Sequence, residues 1–257
     1  MVKPTACILR SDGANCDEEL NYAFKKFGAN PEMIHVNELR NKSKKLINFQ
    51  ILALPGGFSY GDDIASGKVL AIELINFLGD EIKKFIERKG LVLGICNGFQ
   101  TLIRTGLLPF NNLGKMDATL GQNDSGHFEC RWIKIKNEKS KCLFLNQDQL
   151  IEIAVNHGEG KFFADQKTIQ KIEDENLVLF RYVDNSGKPT QKYPENPNGS
   201  INAIAGICDP TGRILGMMPH PEKFIETTQH PNWRRQKFTK PHGAFIFENL
   251  IKFAQNQ

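Results

Sequence analysis

The sequence has no long hydrophobic run. Its longest uncharged stretch, 46–61, is interrupted by Asn48, Gln50, Pro55 and three glycines, far short of the about 18 apolar residues of a membrane span. The first ten residues hold no apolar region of the length a secretory signal needs. Cysteine is scarce: the six (7, 16, 96, 130, 142 and 208) are too sparse for a disulfide scaffold, and no pair has the C-x-x-C spacing of zinc or redox sites. Free thiols in a reducing compartment are expected. An excess of one charge is missing too. With 33 basic and 29 acidic residues the net charge is +4, spread along the chain, which gives nucleic acid no basic face to bind. These absences predict a cytoplasmic protein with neither membrane nor nucleic acid as partner. The glycosylation sequons at Asn41, Asn123 and Asn198 are then without meaning.

What is present is an ordinary globular composition, 40% hydrophobic and 24% charged over 257 residues, which excludes disorder and allows a substantial core. Short apolar runs at 6–9, 33–36, 51–54 and 91–95 alternate with helical patterns. Alternation of this kind argues a mostly parallel open sheet with helices on both faces. Leu20, Ala23, Phe24 and Phe27 fall at i, i+3, i+4 and i+7, with an Asn15–Glu18 capping box before them and Gly28 as the stop. Further helices are predicted at 64–78, 80–87, 97–104 and 244–254. From residue 128 strand candidates take over (128–135, 151–155, 176–183, 201–207, 214–218), so the second half is read as rich in antiparallel strand. The fold class is α/β, in a single domain over 1–257. The proline-containing stretch 184–200 reads as a loop. Segment 223–240, with Lys223, Arg234, Arg235, Lys237 and Lys240 against only Glu226, reads as a solvated connection or a docking surface.

Chemistry concentrates where apolar runs end. In Gly94-Ile95-Cys96-Asn97-Gly98 a cysteine sits between a strand and a helix, with a glycine two residues away on each side. That is the layout of a nucleophile elbow: a sharp turn exposes the nucleophile, the glycines let neighbouring chain come close, and the helix N-terminus favours negative charge. A small buried hydrophobe is the competing reading of a single cysteine. Of six histidines only His220 has a carboxylate in a stiff frame, Pro219-His220-Pro221-Glu222. The second proline extends His220, so that His220 and Glu222 project to one side; an incidental Pro-rich turn is the alternative. In Leu54-Pro55-Gly56-Gly57-Phe58 a glycine turn follows the third strand, and the Gly57 and Asn97 amides could face one oxygen. No P-loop is present, since five residues separate Gly61 from Gly67 and Val69 replaces the Ser or Thr, and no G-x-G-x-x-G follows a strand.

Taken in order, PGGFSYGDD (55–63), GICNGFQ (94–100), HGEG (157–160), RYVD (181–184), ENPNGS (195–200) and GMMPHPE (216–222) resemble the class I glutamine amidotransferases. More narrowly they resemble the glutaminase subunits of phosphoribosylformylglycinamidine synthases, enzymes of purine biosynthesis. The resemblance implies the flavodoxin-like class I glutaminase fold, with Cys96 as nucleophile, His220 as general base and then acid, and Glu222 orienting His220. It implies backbone oxyanion donors at Gly57 and Asn97, and glutamine contacts from Gln100, His157 and Gly158. It implies no cofactor or metal on this chain; ATP and Mg belong to a large partner synthetase subunit, usually joined by a small accessory subunit. Surfaces 59–68 and 223–240 are the docking candidates. The stretch after Glu222 is longer than the short tail of separate glutaminase subunits, and QHPNW (229–233) resembles the tail of single-chain synthases. Competing readings are a glutaminase serving another synthetase, a non-catalytic flavodoxin-like binding module, and a metal hydrolase using His220, His230 and His242, which lack a known ligand spacing. The other five cysteines are read as structural or incidental.

Overall fold

The computed structural model describes residues 2–145 and 148–257. Its centre is made of short strands buried on both faces. β1 (Thr5–Arg10), β2 (Asn30–His35), β3 (Ile51–Leu54) and β4 (Leu91–Ile95) pair in parallel in the order β2-β1-β3-β4. Every residue of β3 and β4 is buried, which is why both read as unbroken apolar runs and not as alternating ones.

The crossover helices show where local signals hold and where packing overrides them. α1 (Asp17–Lys26) buries Leu20, Ala23 and Phe24 as the periodicity requires, and Gly28 follows at φ +96°. The expected Asn15–Glu18 capping box does not form. Cys16 caps the helix without a side-chain bond, and Asp17, Glu18 and Glu19 place their charge in the first turn, where the helix dipole favours it. Val36 leaves β2 to open α2 (Val36–Arg40), which is capped by the His35 side chain. The two segments expected at 64–78 and 80–87 are one helix, α3 (Lys68–Glu87): Leu70, Leu74, Leu78, Ile82 and Phe85 keep a single buried stripe through Gly79. α4 (Asn97–Thr105) is buried along nearly its whole length.

The remaining elements are β5 (Thr119–Gln122), β6 (Glu129–Asn137), β7 (Leu150–His157), β8 (Glu159–Phe163), α5 (Gln166–Asp174), β9 (Val178–Tyr182), β10 (Ile204–Cys208), β11 (Ile214–Met217) and α6 (Ala244–Gln255). β11 lies parallel to β4, and β10, β9, β6 and β7 extend the sheet in antiparallel fashion to nine strands. The antiparallel second half is as expected, whereas β5, β8 and α5 are not in the sequence reading, and 201–203 is a 3-10 turn in place of strand. Four strands separate β7 from β4, yet Ala154 of β7 bridges to His220 just after β11. The antiparallel half therefore curls until its edge reaches the end of the parallel half. Among the described residues no helix is long and apolar enough to cross a membrane.

The two halves of the nucleophile turn meet at glycines. A Cβ on Gly98 would lie 2.1 Å from the Leu54 carbonyl oxygen, and one on Gly94 would lie 2.8 Å from the Gly98 carbonyl oxygen. Gly79 is different: a Cβ there meets only Leu113 Cδ2, at 3.5 Å. Gly98→Ala is therefore expected to lower stability by about 3 kcal/mol through overpacking, while Gly79→Ala raises it by about 0.5–1 kcal/mol through helix propensity. Urea unfolding midpoints check both signs.

Candidate active site

Three elements converge beyond the carboxyl ends of β3, β4 and β11. Cys96 links β4 to α4 with φ +51° and ψ −106°, a conformation that costs a non-glycine residue about 1–3 kcal/mol and persists only where its surroundings over-determine it. Its amide donates to the Met217 carbonyl at 2.8 Å, and its thiol, 4% exposed, lies 3.5 Å from the Asn156 carbonyl on β7. His220 follows β11 in extended conformation, as the Pro-His-Pro frame predicts, and its amide donates to the Ala154 carbonyl at 2.9 Å. Its Nδ1 is 2.5 Å from Glu222 Oε1, both side chains being 1% exposed. Gly56 makes room for the ring: a Cβ there would lie 2.7 Å from His220 Cε1.

Burial alone would hold the imidazole of His220 neutral. The carboxylate of Glu222, with Cys96 and Cys16 beside the ring, outweighs burial and sets its pKa well above the ordinary value. With Nδ1 engaged by Glu222, Nε2 has no hydrogen-bond partner among the described residues. Cys96, His220 and Glu222 are thus brought together as a thiol, a base and a carboxylate that orients the base, an arrangement suited to attack on an amide carbonyl.

The two loops that carry the candidate oxyanion donors lie against each other. Gly57 has φ +140°, and a Cβ there would meet Asn15 N at 2.6 Å. Among the described residues neither the Gly57 nor the Asn97 amide donates to any group, which leaves both available to an incoming oxygen. The Asn97 side chain locks the two loops together, accepting from Ser59 N at 3.2 Å and donating to Asp62 Oδ1 at 3.0 Å. Asp62 in turn accepts from Ser66 Oγ at 2.8 Å. Sequence reading missed Asp62, whose only signal is its place in YGDD. Gln100 is buried; its Oε1 accepts from Asn97 Nδ2 at 3.0 Å and its Nε2 donates to the Glu159 carbonyl. One Nε2 hydrogen and one Oε1 lone pair remain for a ligand.

His157 is 2% exposed and lies on β7. The Asn123 amide nitrogen donates to the His157 and His127 carbonyls, so Asn123 Oδ1, 3.1 Å from His157 Nδ1, accepts the Nδ1 proton. Burial, and then the charge of His220, push the His157 pKa down to about 3. It is a neutral ring with a free Nε2 acceptor. Gly158 lies at the edge of the site, beneath Phe128, whose exposed ring pairs with that of Phe58 at 6.2 Å across the mouth. His230 and His242 do not join His220; they pack with Trp132, Phe224 and Phe238 in a separate aromatic cluster. Of the five other cysteines, Cys7, Cys142 and Cys208 are buried thiols whose pKa burial raises, and Cys130 is exposed. The sulfur of Cys16 lies within 4.8 Å of ligand atoms on both His220 and Glu222.

A strained cysteine facing a His–Glu pair at the edge of a parallel sheet describes an amide-transferring thiol enzyme, and the chain belongs to the CobB/CobQ-like glutamine amidotransferase family, whose domain model matches residues 3–254. It is 45% identical to phosphoribosylformylglycinamidine synthase subunit PurQ of Dehalococcoides mccartyi over 257 residues, 99% of each chain. It is 40% identical to the subunit of the same name from Methanococcus maripaludis, over 96% of this chain and 92% of that one. A chain in the structure of PurLQS from Thermotoga maritima superimposes with a TM-score of 0.76 at 31% identity, covering 98% of this chain and 99% of that one. Within the family the chain groups with the PurQ subunits. The Dehalococcoides match takes in the stretch after Glu222, so that stretch is shared with a chain named as a separate subunit and does not mark a single-chain synthase.

The neutral His157 sets a pH dependence. Its folded pKa of about 3 lies below the usual value of 6.5; the unfolded state therefore gains a proton first as pH falls. Stability from this group is full above pH about 6.5 and declines by about 1.4 kcal/mol per pH unit towards pH 3. His157→Asn, which keeps a donor near the Nδ1 position, is expected to flatten the fall in unfolding free energy between pH 7 and 5 relative to the parent.

Proposed function

We propose that the chain, as one glutaminase domain over 1–257, hydrolyses glutamine to glutamate and ammonia and hands the ammonia to an ATP-dependent synthetase subunit. There it converts formylglycinamide ribonucleotide to formylglycinamidine ribonucleotide in cytoplasmic purine biosynthesis. The observation that carries the reading is the buried His220, held by Glu222 at 2.5 Å beside Cys96 at a strained strand-to-helix turn.

In the proposed reaction His220 takes the Cys96 thiol proton and the sulfur attacks the side-chain carbonyl of glutamine. The oxygen becomes an oxyanion and takes hydrogen bonds from the Gly57 and Asn97 amides, each worth about 100- to 1,000-fold in rate. His220 gives its proton to the departing nitrogen, ammonia leaves, and a thioester remains on Cys96. Water, deprotonated by the now neutral His220, opens the thioester; glutamate leaves with the water oxygen and Cys96 is restored. Glu222 keeps the ring oriented and offsets its charge. Gln100, through its spare amide hydrogen and lone pair, and His157 with Gly158 at the edge, hold the glutamine.

Released into water near neutral pH, ammonia would be protonated and lose its nucleophilicity. Internal transfer to the partner follows from that chemistry. The PurLQS structure supports a complex with a large synthetase subunit, and we extend the reading to a small accessory subunit. ATP and Mg are assigned to the synthetase and no cofactor to this chain. Segment 223–240 is the proposed docking face: Phe224 and His230 pack its aromatic side against Trp132 of β6, while Arg234 and Arg235 remain exposed.

Two measurements test this reading. A diazo-ketone analogue of glutamine is expected to place a single adduct on Cys96, blocked by excess glutamine and absent in Cys96→Ser; an adduct elsewhere, or none with the synthetase present, removes the assignment. Arg234→Glu with Arg235→Glu is expected to weaken binding to the synthetase, most at low salt. Unchanged affinity by calorimetry would move the docking face elsewhere.

A further inference from the structure

The glutaminase reading uses one thiol, yet the site contains two. Cys16 caps α1 and is 6% exposed, and its amide donates to the Gly56 carbonyl at 3.2 Å. That bond holds the residue against the glycine that makes room for His220. Its sulfur would lie 3.4 Å from a Cβ built on Gly56, and the same Cβ would lie 2.7 Å from His220 Cε1 and 3.4 Å from Nδ1. The sulfur's own hydrogen bond, to Asn15 Oδ1, is long at 3.6 Å. One ligand atom each from Cys16, His220 and Glu222 lie within 4.8 Å of one another, all on buried residues, and among the described residues no other such group of three occurs. A second observation points to a ligand: Glu222 Oε2 is buried with no hydrogen-bond partner although its residue is 1% exposed.

We propose that Cys16, His220 and Glu222 form an inhibitory binding site for a thiophilic divalent cation such as zinc. A sulfur, an imidazole nitrogen and a carboxylate oxygen are a normal zinc set, and on one tetrahedral ion such atoms stand about 3.3–3.6 Å apart. The observed atoms, within 4.8 Å of one another, would have to adjust to meet that spacing. Binding releases the Cys16 thiol proton and the proton on the coordinating nitrogen of His220, gives Glu222 Oε2 a partner and withdraws both His220 and Glu222 from Cys96. The chain would then keep its fold and its glutamine pocket but lose its base. The one remaining position of a four-coordinate ion would fall to water, which makes the site weaker than a closed structural one and suits reversible inhibition.

The test separates this site from a cation held by Cys96 and His220 alone. The full chain carrying Cys96→Ala is titrated with Co2+; one equivalent is expected to bind with a sulfur-to-cobalt charge-transfer band in the near ultraviolet. Adding Cys16→Ser, which keeps the size of the side chain, is expected to abolish the band and weaken binding at least about tenfold. In the otherwise unaltered chain Zn2+ is expected to stop glutamine hydrolysis, a chelator to restore it, and Cys16→Ser to raise the half-inhibiting Zn2+ concentration by a similar factor. No band in the Cys96→Ala chain, or equal zinc sensitivity with and without Cys16, would overturn the proposal. The site shares His220 and Glu222 with the glutaminase reading, but the cobalt spectrum does not depend on turnover, so either can fail without the other.

Discussion

The approach of the Gly98 main chain to the end of β3, so close that a Cβ would stand 2.1 Å from the Leu54 carbonyl oxygen, fixes the distance between the two loops that make the site. β3 and β4 are neighbours in parallel register, so their carboxyl ends deliver the Gly56-Gly57 turn and Cys96 side by side. The helix that begins at Asn97 can present its first amides to the Gly57 loop only because no side chain intervenes. A third close contact completes the frame: a Cβ on Gly216 would lie 2.0 Å from Phe99 Cδ2, so β11 and α4 also meet at a glycine. The strained backbone of Cys96 persists because it is held from three sides, by β3, by β11 and by its own helix.

Packing sets the separation of the loops, and a polar network sets their orientation. Loop 59–67 passes through positive φ at Tyr60, Gly61, Asp62 and Gly67, and it has little apolar burial to hold it there. Asp62 is tied to Asn97, Ser66 N is bonded to Glu159 Oε2 at 3.2 Å, and Arg104 Nε is bonded to the Ser66 carbonyl at 2.7 Å. The helix that follows Cys96, the loop 59–67 and the start of β8 are thereby one hydrogen-bonded unit. In such networks the members are worth more together than singly, and Asn97 is the member that touches both the loop and Gln100.

Much of this was legible in the residues. β3 and β4 announced themselves because full burial leaves unbroken apolar runs, and α1 because its buried stripe keeps the helical period. Cys96 stood out through its flanking glycines, and His220 through prolines that stiffen it beside Glu222. What could not be read has physical causes. The Asn15–Glu18 pattern meets the rule for a capping box, but the chain at Asn15 and Cys16 is committed to contacts with Gly56 and Gly57 instead. The helix α5 has only Ile169 and Ile172 buried, too little apolar signal to detect. Gly56 and Cys16 act through proximity to His220, a residue more than 160 positions away, and no local pattern encodes that.

The curl of the sheet ties the two reacting groups to different parts of the molecule. Cys96 is carried by the parallel strands, while the main chain of His220 is bonded to Ala154 and the Cys96 thiol faces the Asn156 carbonyl, both on the edge strand β7. The gap between Cys96 and His220 is therefore a gauge of how the far edge of the sheet sits against its centre. A displacement of that edge would open or close the gap through the main chain of β7 alone.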